Sequence, residues 1–559
     1  MHRRAQAALS IAMVIACVQP ADAAPAPAQG AVCVENATLT ELREALLSGR
    51  TTATALTQAY LARIAAYDRN GPGLNAVREL NPDALAIAAR LDAGKPDPRL
   101  PLWGIPILIK DNIATGDQQH TTAGSLALAS ARAKRDATVV TQLRRAGAVI
   151  IGKTNLTEFA NILAVNMPSG YSSLGGQVRN PYAPELNPAG IPFVLPGGSS
   201  SGSAVAVAAG LAAVSIGTET SGSLLSPANM NGLVTVKPTV GLISRAGILP
   251  IAASQDTAGP MTRTVRDAAL MLNVLAARDP MDAATRPQQR PADYTASLNR
   301  DGLKGARIGV PSDPSDPAND VYYGPLPPPA AQVMRNAIAA LEREGAVIIR
   351  VNIPTIGWMG GPSSDMPILN LNPESQTKNQ PQRVPTVFVY ELKNGLNAYL
   401  RDWATETPIK TMSDIVAFNK ANASRALRFG QDIFLASAAT RGDLSEPEYK
   451  AARQMDIRTS RTLGIDAYMA AHRLDAILFP ANIGGAIAAK AGYPSVQVPA
   501  GFVAGANLNF TPDYPFGATF TGRAWSEPTL LRLAHAFEQA TMARKMPPGV
   551  PALDPACAR

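Results

Sequence analysis

The stretch Pro196–Gly210, PGGSSSGSAVAVAAG, sets Ser199, Ser200, Ser201 and Ser203 among glycines ahead of a run of small apolar residues. A serine hydroxyl is a weak nucleophile until a neighbour takes its proton, so the search is for a base. One arrangement is a nucleophile elbow: Gly198–Gly202 satisfies G-x-S-x-G with Ser200 at its centre, as in an esterase of the α/β-hydrolase type. It requires a histidine after the serine, yet His472 and His535 fall inside helical patterns and His120 precedes the serine. Another base is Lys110, which ends the apolar run Trp103–Lys110, WGIPILIK. Buried there it is desolvated and its pKa falls toward neutrality; the structural alternative is a side chain that snorkels to water. Further on, GTETSGS offers successive backbone N–H groups ahead of Ser223, a place for an oxyanion. Ser375–Lys378 has the Ser-x-x-Lys spacing, but NQPQRVP follows instead of an apolar helix, so it reads as a chance match in a loop. HExxH and paired CxxC patterns are missing, so metal hydrolysis lacks its parts.

Helices and strands alternate around these residues. Thr38 and Glu41 form a capping box for a helix through Ser48, and TATALTQAYLARIAAYDRNG predicts a second helix ending near Gly71. WGIPILIK suits a buried strand. Helix-like DATVVTQLRRAG precedes strand-like AVIIG (148–152), and AAQVMRNAIAALEREG precedes AVIIRV (346–351). DAILFP (475–480), PSVQVPAGF (494–502) and FGATFTG (516–522) are later strands, closed by the helix EPTLLRLAHAFEQAT. The pattern predicts an α/β fold with a mixed sheet. The proline-rich 311–329 and the Gly, Pro, Ser, Asn and Gln-rich 357–385 read as surface connections framing a site mouth.

The chain has 559 residues, 46% hydrophobic and 17% charged, with a formal net charge of +8. That composition supports a large buried core. The basic residues form no long run, which argues against a nucleic-acid partner. The N-terminus, MHRRAQAALSIAMVIACVQPADAA, has a basic start, an apolar stretch and a small-x-small site at Ala21–Ala23, the pattern of a secretory leader cleaved after Ala23. Val14–Cys17 also reads as a permissive lipobox with a lipid anchor on Cys17. The apolar stretch is shorter than the ~20 residues of a membrane span. After removal of the leader, Cys33 and Cys557 remain, one near each end, either paired in an oxidising compartment or as two free thiols.

Taken together, these segments resemble the amidase signature family. GIPILIKDNI resembles its lysine segment, GGQVRNPY its approach to the serine loop, GGSSSGSAVAVAAG the loop itself, and GTETSGSLLSPA the nucleophile segment. SQDTAGPMTRTVRDAALML resembles the strand and helix that close the signature, while AGYPSVQVPAGF and GRAWSEPTLLRLAHAFEQAT resemble the C-terminal part of the branch that contains peptide amidases. The resemblance extends from about Thr38 to about Met546. It implies a single large domain, a twisted mixed sheet covered by helices on both faces. Within it, 1–23 is a signal peptide, 24–100 a helical segment packed on the core, 101–290 the signature core, and 291–559 the remainder with loop insertions.

The resemblance further implies a triad of Lys110, Ser199 and Ser223, with Ser223 as nucleophile and Ser199 as proton bridge. A cis peptide bond joins Gly198 to Ser199, Ser200 supports the loop, and Ser201 and Ser203 are structural. Thr220, Ser221 and Gly222, with Ser223, supply the oxyanion donors. No metal or organic cofactor is implied. The chain departs from the family in carrying Ser221 and in extra length around Tyr182–Leu195. The expected activity is hydrolysis of a peptide C-terminal amide or related small amide to acid plus ammonia or amine, outside the cytoplasm. A non-catalytic amide-binding member of the fold is the rival reading; the export signal disfavours an amidotransferase subunit. The substrate groove is expected between Asn161–Ser173, with Met167 and Tyr171, and the 357–385 loop, with Trp358 and Met359.

Overall fold

In the computed structural model, which describes residues 32–353, 364–504 and 513–557, the first helix α1 (Leu39–Leu47) begins where the capping box lies. Thr38 Oγ1 accepts from the Glu41 N–H, and the Glu41 carboxylate accepts from the Thr38 N–H. α2 (Ala53–Arg63) follows and continues through a wider turn to Arg69. The predicted leader, with its lipobox, lies outside the described residues.

The core is one 11-stranded sheet. Its strands are β1 (Val77–Leu80), β2 (Pro106–Lys110), β3 (Val149–Thr154), β4 (Val214–Glu219), β5 (Val234–Lys237) and β6 (Thr257–Thr262), then β7 (Arg307–Val310), β8 (Val347–Arg350), β9 (Ala476–Pro480), β10 (Ser495–Val503) and β11 (Tyr514–Thr521). Their order across the sheet is β1-β3-β2-β4-β6-β5-β10-β11-β9-β7-β8. β2 is parallel to β3 and β4, and β7 to β8 and β9, while the strands between them pair antiparallel. The sheet is therefore mixed, as expected. Every residue of β2, β3, β4 and β6 is buried, the mark of strands covered on both faces. This explains why WGIPILIK reads as a continuous apolar run instead of alternating.

Two segments differ from expectation. Residues 24–100 are not helical throughout, because β1 joins the sheet edge against β3. The stretch 357–385 is not a simple connection: Asp365–Leu369 and Pro381–Pro385 pair as an antiparallel hairpin, with Ile368 and Val384 buried in the core. Its prolines and polar residues masked the alternation, and at a two-stranded edge a missing N–H is tolerated. Trp358 and Met359 lie outside the described residues.

α3 (Thr138–Arg145) leads into β3. The small-residue helix α4 (Ser201–Ala208) is wholly buried. Its smallness is required by how closely it packs, since a Cβ on Gly202 would stand 2.3 Å from the Ala76 carbonyl oxygen. α5 (Leu225–Met230), α6 (Val265–Leu275), α7 (Pro328–Arg343), α8 (Thr386–Asp402) and α9 (Glu527–Thr541) complete the cover relevant to the site. Cys33 and Cys557 form a disulfide, with Cα atoms 5.3 Å apart.

Candidate active site

β2 and β4 run side by side, with Ile107, Leu108 and Ile109 opposite Val214, Ser215 and Ile216. This register delivers Lys110 at the end of β2 next to Thr218 near the end of β4. Gly217 makes room for the serine loop: a Cβ there would lie 2.8 Å from Ser200 Oγ. The loop preceding α4 contains the Gly198–Ser199 peptide bond, which is cis.

Lys110 is fully buried. Its Nζ lies 2.9 Å from Ser199 Oγ, 3.0 Å from Ser200 Oγ and 2.9 Å from Thr218 Oγ1. Burial drives its pKa down to about 7, against a smaller opposing pull from Glu219 and Asp256. The snorkelling alternative is excluded by this geometry. Ser200 donates its proton to the Thr218 carbonyl at 2.9 Å, and Asn112 Nδ2 donates to Thr218 Oγ1 at 3.0 Å. A neutral amine has two N–H donors and one lone pair. Ser200 Oγ and Thr218 Oγ1 can take the two N–H bonds, which leaves the lone pair for the Ser199 proton.

Ser223 sits in the turn between β4 and α5, 8% exposed. Its carbonyl accepts from the Ser200 N–H at 3.2 Å, so the serine loop and the turn are tied backbone to backbone. Its hydroxyl makes no hydrogen bond among the described residues. The Glu219 carboxylate holds the turn by accepting from the Leu224 and Leu225 N–H groups at 2.7 and 3.1 Å. Gly222 occupies the left-handed region at φ 84°, where a side chain would be strained. Among the described residues nothing accepts from the N–H groups of Thr220, Ser221, Gly222 or Ser223. Thr220 Oγ1 donates to Asp256 at 2.5 Å, and Asp256 also accepts from the Ile251 and Ala252 N–H groups, which locks the turn to a second loop. Desolvation raises the Asp256 pKa to about 6.

The structure thus brings together Lys110, Ser199, Ser200, Ser223 and the Thr220–Gly222 turn. Ser201 Oγ donates to the Gly197 carbonyl at 2.6 Å, and Ser203 Oγ is 2.7 Å from Thr154 Oγ1, both packing roles. No described histidine contacts the serines: His120 pairs with Glu79 at 2.8 Å, His472 packs on Tyr468 and His535 lies on α9. The elbow around Ser200 therefore has no histidine base. Ser375, of the Ser-x-x-Lys match, accepts from Asn370 Nδ2 at 2.9 Å within the 365–385 hairpin turn.

The expected groove walls do touch one another, for Asn166 Nδ2 donates to Thr377 Oγ1 at 3.0 Å. Met167 is buried in the main core, and the Tyr171 ring packs edge-on to Phe429 at 4.7 Å. Neither lines the cavity of about 300 Å³ that opens beside Thr218 and Thr220, whose apolar wall includes Leu249, Ile251, Tyr399 and Trp403. Thr218 and Asn112 are the polar partners that motif reading passed over. Both lie inside the quoted lysine and nucleophile segments, but their pairing depends on register across two strands. Thr218→Val is expected to lower kcat about tenfold or more, since one of the amine's hydrogen-bond partners is lost. Steady-state kinetics on a peptide amide give the readout.

A family model described as Amidase matches residues 55–531. A protein of Arabidopsis thaliana described as a probable amidase is 38% identical over 92% of this chain and 92% of its own. The native peptide amidase of Stenotrophomonas maltophilia superposes with a TM-score of 0.78 at 43% identity, covering 91% of this chain and 98% of that one. An amidase family protein of Bacillus anthracis gives a TM-score of 0.79 at 34% identity, with 92% of both chains covered.

Proposed function

Because the chain belongs to the amidase family and is an amide-hydrolysing enzyme, we propose that it works through a serine–serine–lysine relay on C-terminal amides of short peptides. The observation that carries the relay is the buried Lys110, which burial brings to lose its proton near pH 7 and which is in hydrogen-bond contact with Ser199. Ser223 Oγ attacks the amide carbon as its proton passes to Ser199 Oγ, and the proton of Ser199 passes to Lys110 Nζ. The carbonyl oxygen takes the electron pair of the π bond and faces the unpaired N–H groups of Thr220 to Ser223. Collapse of this intermediate breaks the C–N bond, and the relay runs backward to put a proton on the departing nitrogen. Water then enters, gives its proton to the same relay, and releases the acid from Ser223. The Ser223–Ser199 contact forms with substrate in place, as catalytic hydrogen bonds commonly do.

The likeness to the Stenotrophomonas peptide amidase supports the peptide amide reading. So does the cavity beside Thr218, which at about 300 Å³ stands at the lower end of ligand-site volumes and suits a side chain better than a fatty tail. Short peptide amides are expected to give a kcat/KM at least about tenfold above oleamide, with internal peptide bonds uncut. A preference for oleamide would overturn the substrate while leaving the relay standing.

Export is part of the same proposal, supported by the leader pattern and by a disulfide suited to an oxidising compartment. Fractionation and N-terminal sequencing are expected to recover the protein outside the cytoplasm, beginning at Ala24 and without free thiols. A cytoplasmic protein that retains Met1 would refute it.

A further inference from the structure

A second cavity, of about 810 Å³, opens where α1, the start of α6 and the end of α9 meet. The residues that line it include none of the catalytic serines and not Lys110. Its carboxylates are already engaged at helix starts. Glu41 completes the α1 capping box, Asp267 accepts from the Leu39 N–H at 3.1 Å, and Glu538 accepts from the Val265 N–H at 2.8 Å.

Four arginines line the same space against these three carboxylates, and Arg263 acts by charge on one of them, Asp267. Arg263, 3% exposed, donates to the carbonyls of Val207 and Ala212 at 3.1 Å and to that of Ala37, while its buried Nε has no acceptor among the described residues. Arg544 donates through Nη1 to Asn36 Oδ1 at 2.5 Å, and its buried Nε and Nη2 have no acceptor among the described residues. The two guanidiniums are thus fastened to consecutive residues. Burial, reinforced by the charge of Arg263, holds the Arg544 pKa down at about 10. His535, 8% exposed, adds a buried Nδ1 without a hydrogen bond, 3.8 Å from Glu538 Oε2. Arg266 and Arg300 stand exposed at the rim.

Two guanidiniums whose charges act on each other, with Arg263 Nε and Arg544 Nε and Nη2 left without acceptors among the described residues, are costly unless further negative charge offsets them. We propose that this cavity binds a small organic oxyanion, its carboxylate or phosphate head on Arg544 and Arg263. The apolar part of the ligand lies along Leu298, Pro499 and Met542, which share the wall. The volume exceeds what an inorganic ion needs, and guanidinium donors suit either head group.

Calorimetric titration of the full-length protein with inorganic phosphate and with benzoate, at fixed ionic strength, tests this. At least one is expected to bind saturably, and the one that binds tells which head group the site prefers. Arg544→Gln is expected to weaken that binding about tenfold or more while amide turnover without added anion is unchanged. Should that variant fail to fold, Arg266→Ser at the exposed rim is expected to weaken binding two- to threefold, on the order of one screened charge. No saturable binding of either probe, or affinity indifferent to both substitutions, overturns the proposal.

Discussion

Ser223→Ala is expected to lower kcat by roughly 10⁴- to 10⁶-fold, the loss typical of a nucleophile whose partners work as a unit. The substitution removes a hydroxyl that makes no hydrogen bond among the described residues, so the melting temperature is expected to stay within about 1–2 °C of the parent. A serine-directed phosphonate should label the parent at Ser223 and leave the variant unlabelled. Residual turnover near that of the parent, with label on Ser200, would transfer the nucleophile to the elbow and undo the relay. A parent that turns substrate over, beside a variant that binds it with unchanged Kd and turns it over roughly 10⁴- to 10⁶-fold more slowly, also separates this enzyme from a binding-only member of the fold.

Lys110→Met is expected to be comparably damaging, by about 10³-fold or more, because no described histidine stands near enough to serve as base. The pH dependence carries the sharper signature. In the proposed relay the working form of Lys110 is neutral, so kcat/KM of the parent should rise with pH through an apparent pKa near 7 and level off above it. That value belongs to the coupled lysine and serines, not to one group.

The same depressed pKa has an opposite effect on stability. In the unfolded chain the lysine takes up its proton below its ordinary value of 10.5, whereas in the fold it does so only below about 7. Protons therefore favour the unfolded chain as pH falls from 10.5 to about 7, and this penalty is constant below that. Lys110→Met removes the penalty, so its stability relative to the parent should be greater at pH 7 than at pH 10. Urea denaturation at the two pH values checks the sign, and a difference that runs the other way would mean that Lys110 is charged in the fold.

Much of this site was legible because it is built from contiguous segments. An apolar strand ending in lysine, a glycine-serine loop and an N–H-rich turn each announce themselves locally, and the family resemblance assigned Lys110, Ser199 and Ser223 their places. What stayed hidden is whatever depends on two distant segments at once. That Thr218 Oγ1 receives both Lys110 and Asn112 follows from the parallel register of β2 and β4, which no single segment encodes. Asp256, quoted within the segment that closes the signature, locks the turn before Ser223 only because Thr220 folds against it. The placing of Met167 depends on the fold in the same way: it is apolar, and the fold turns it into the core. Residues 365–385 escaped because the prolines that read as a connection also fit the edge of a hairpin.

The disulfide between Cys33 and Cys557 changes the topology of the molecule as well as its stability. The bridge spans 524 positions, so nearly the whole described chain becomes a covalent ring with short tails. A protease that cuts one exposed loop in such a ring produces a single linear molecule, not two fragments that can drift apart. Every strand of the sheet stays tethered to its neighbours through the bond at the old ends. The first cut then opens the ring and only a second can release a piece, so a nicked enzyme can stay assembled around Lys110 and Ser223.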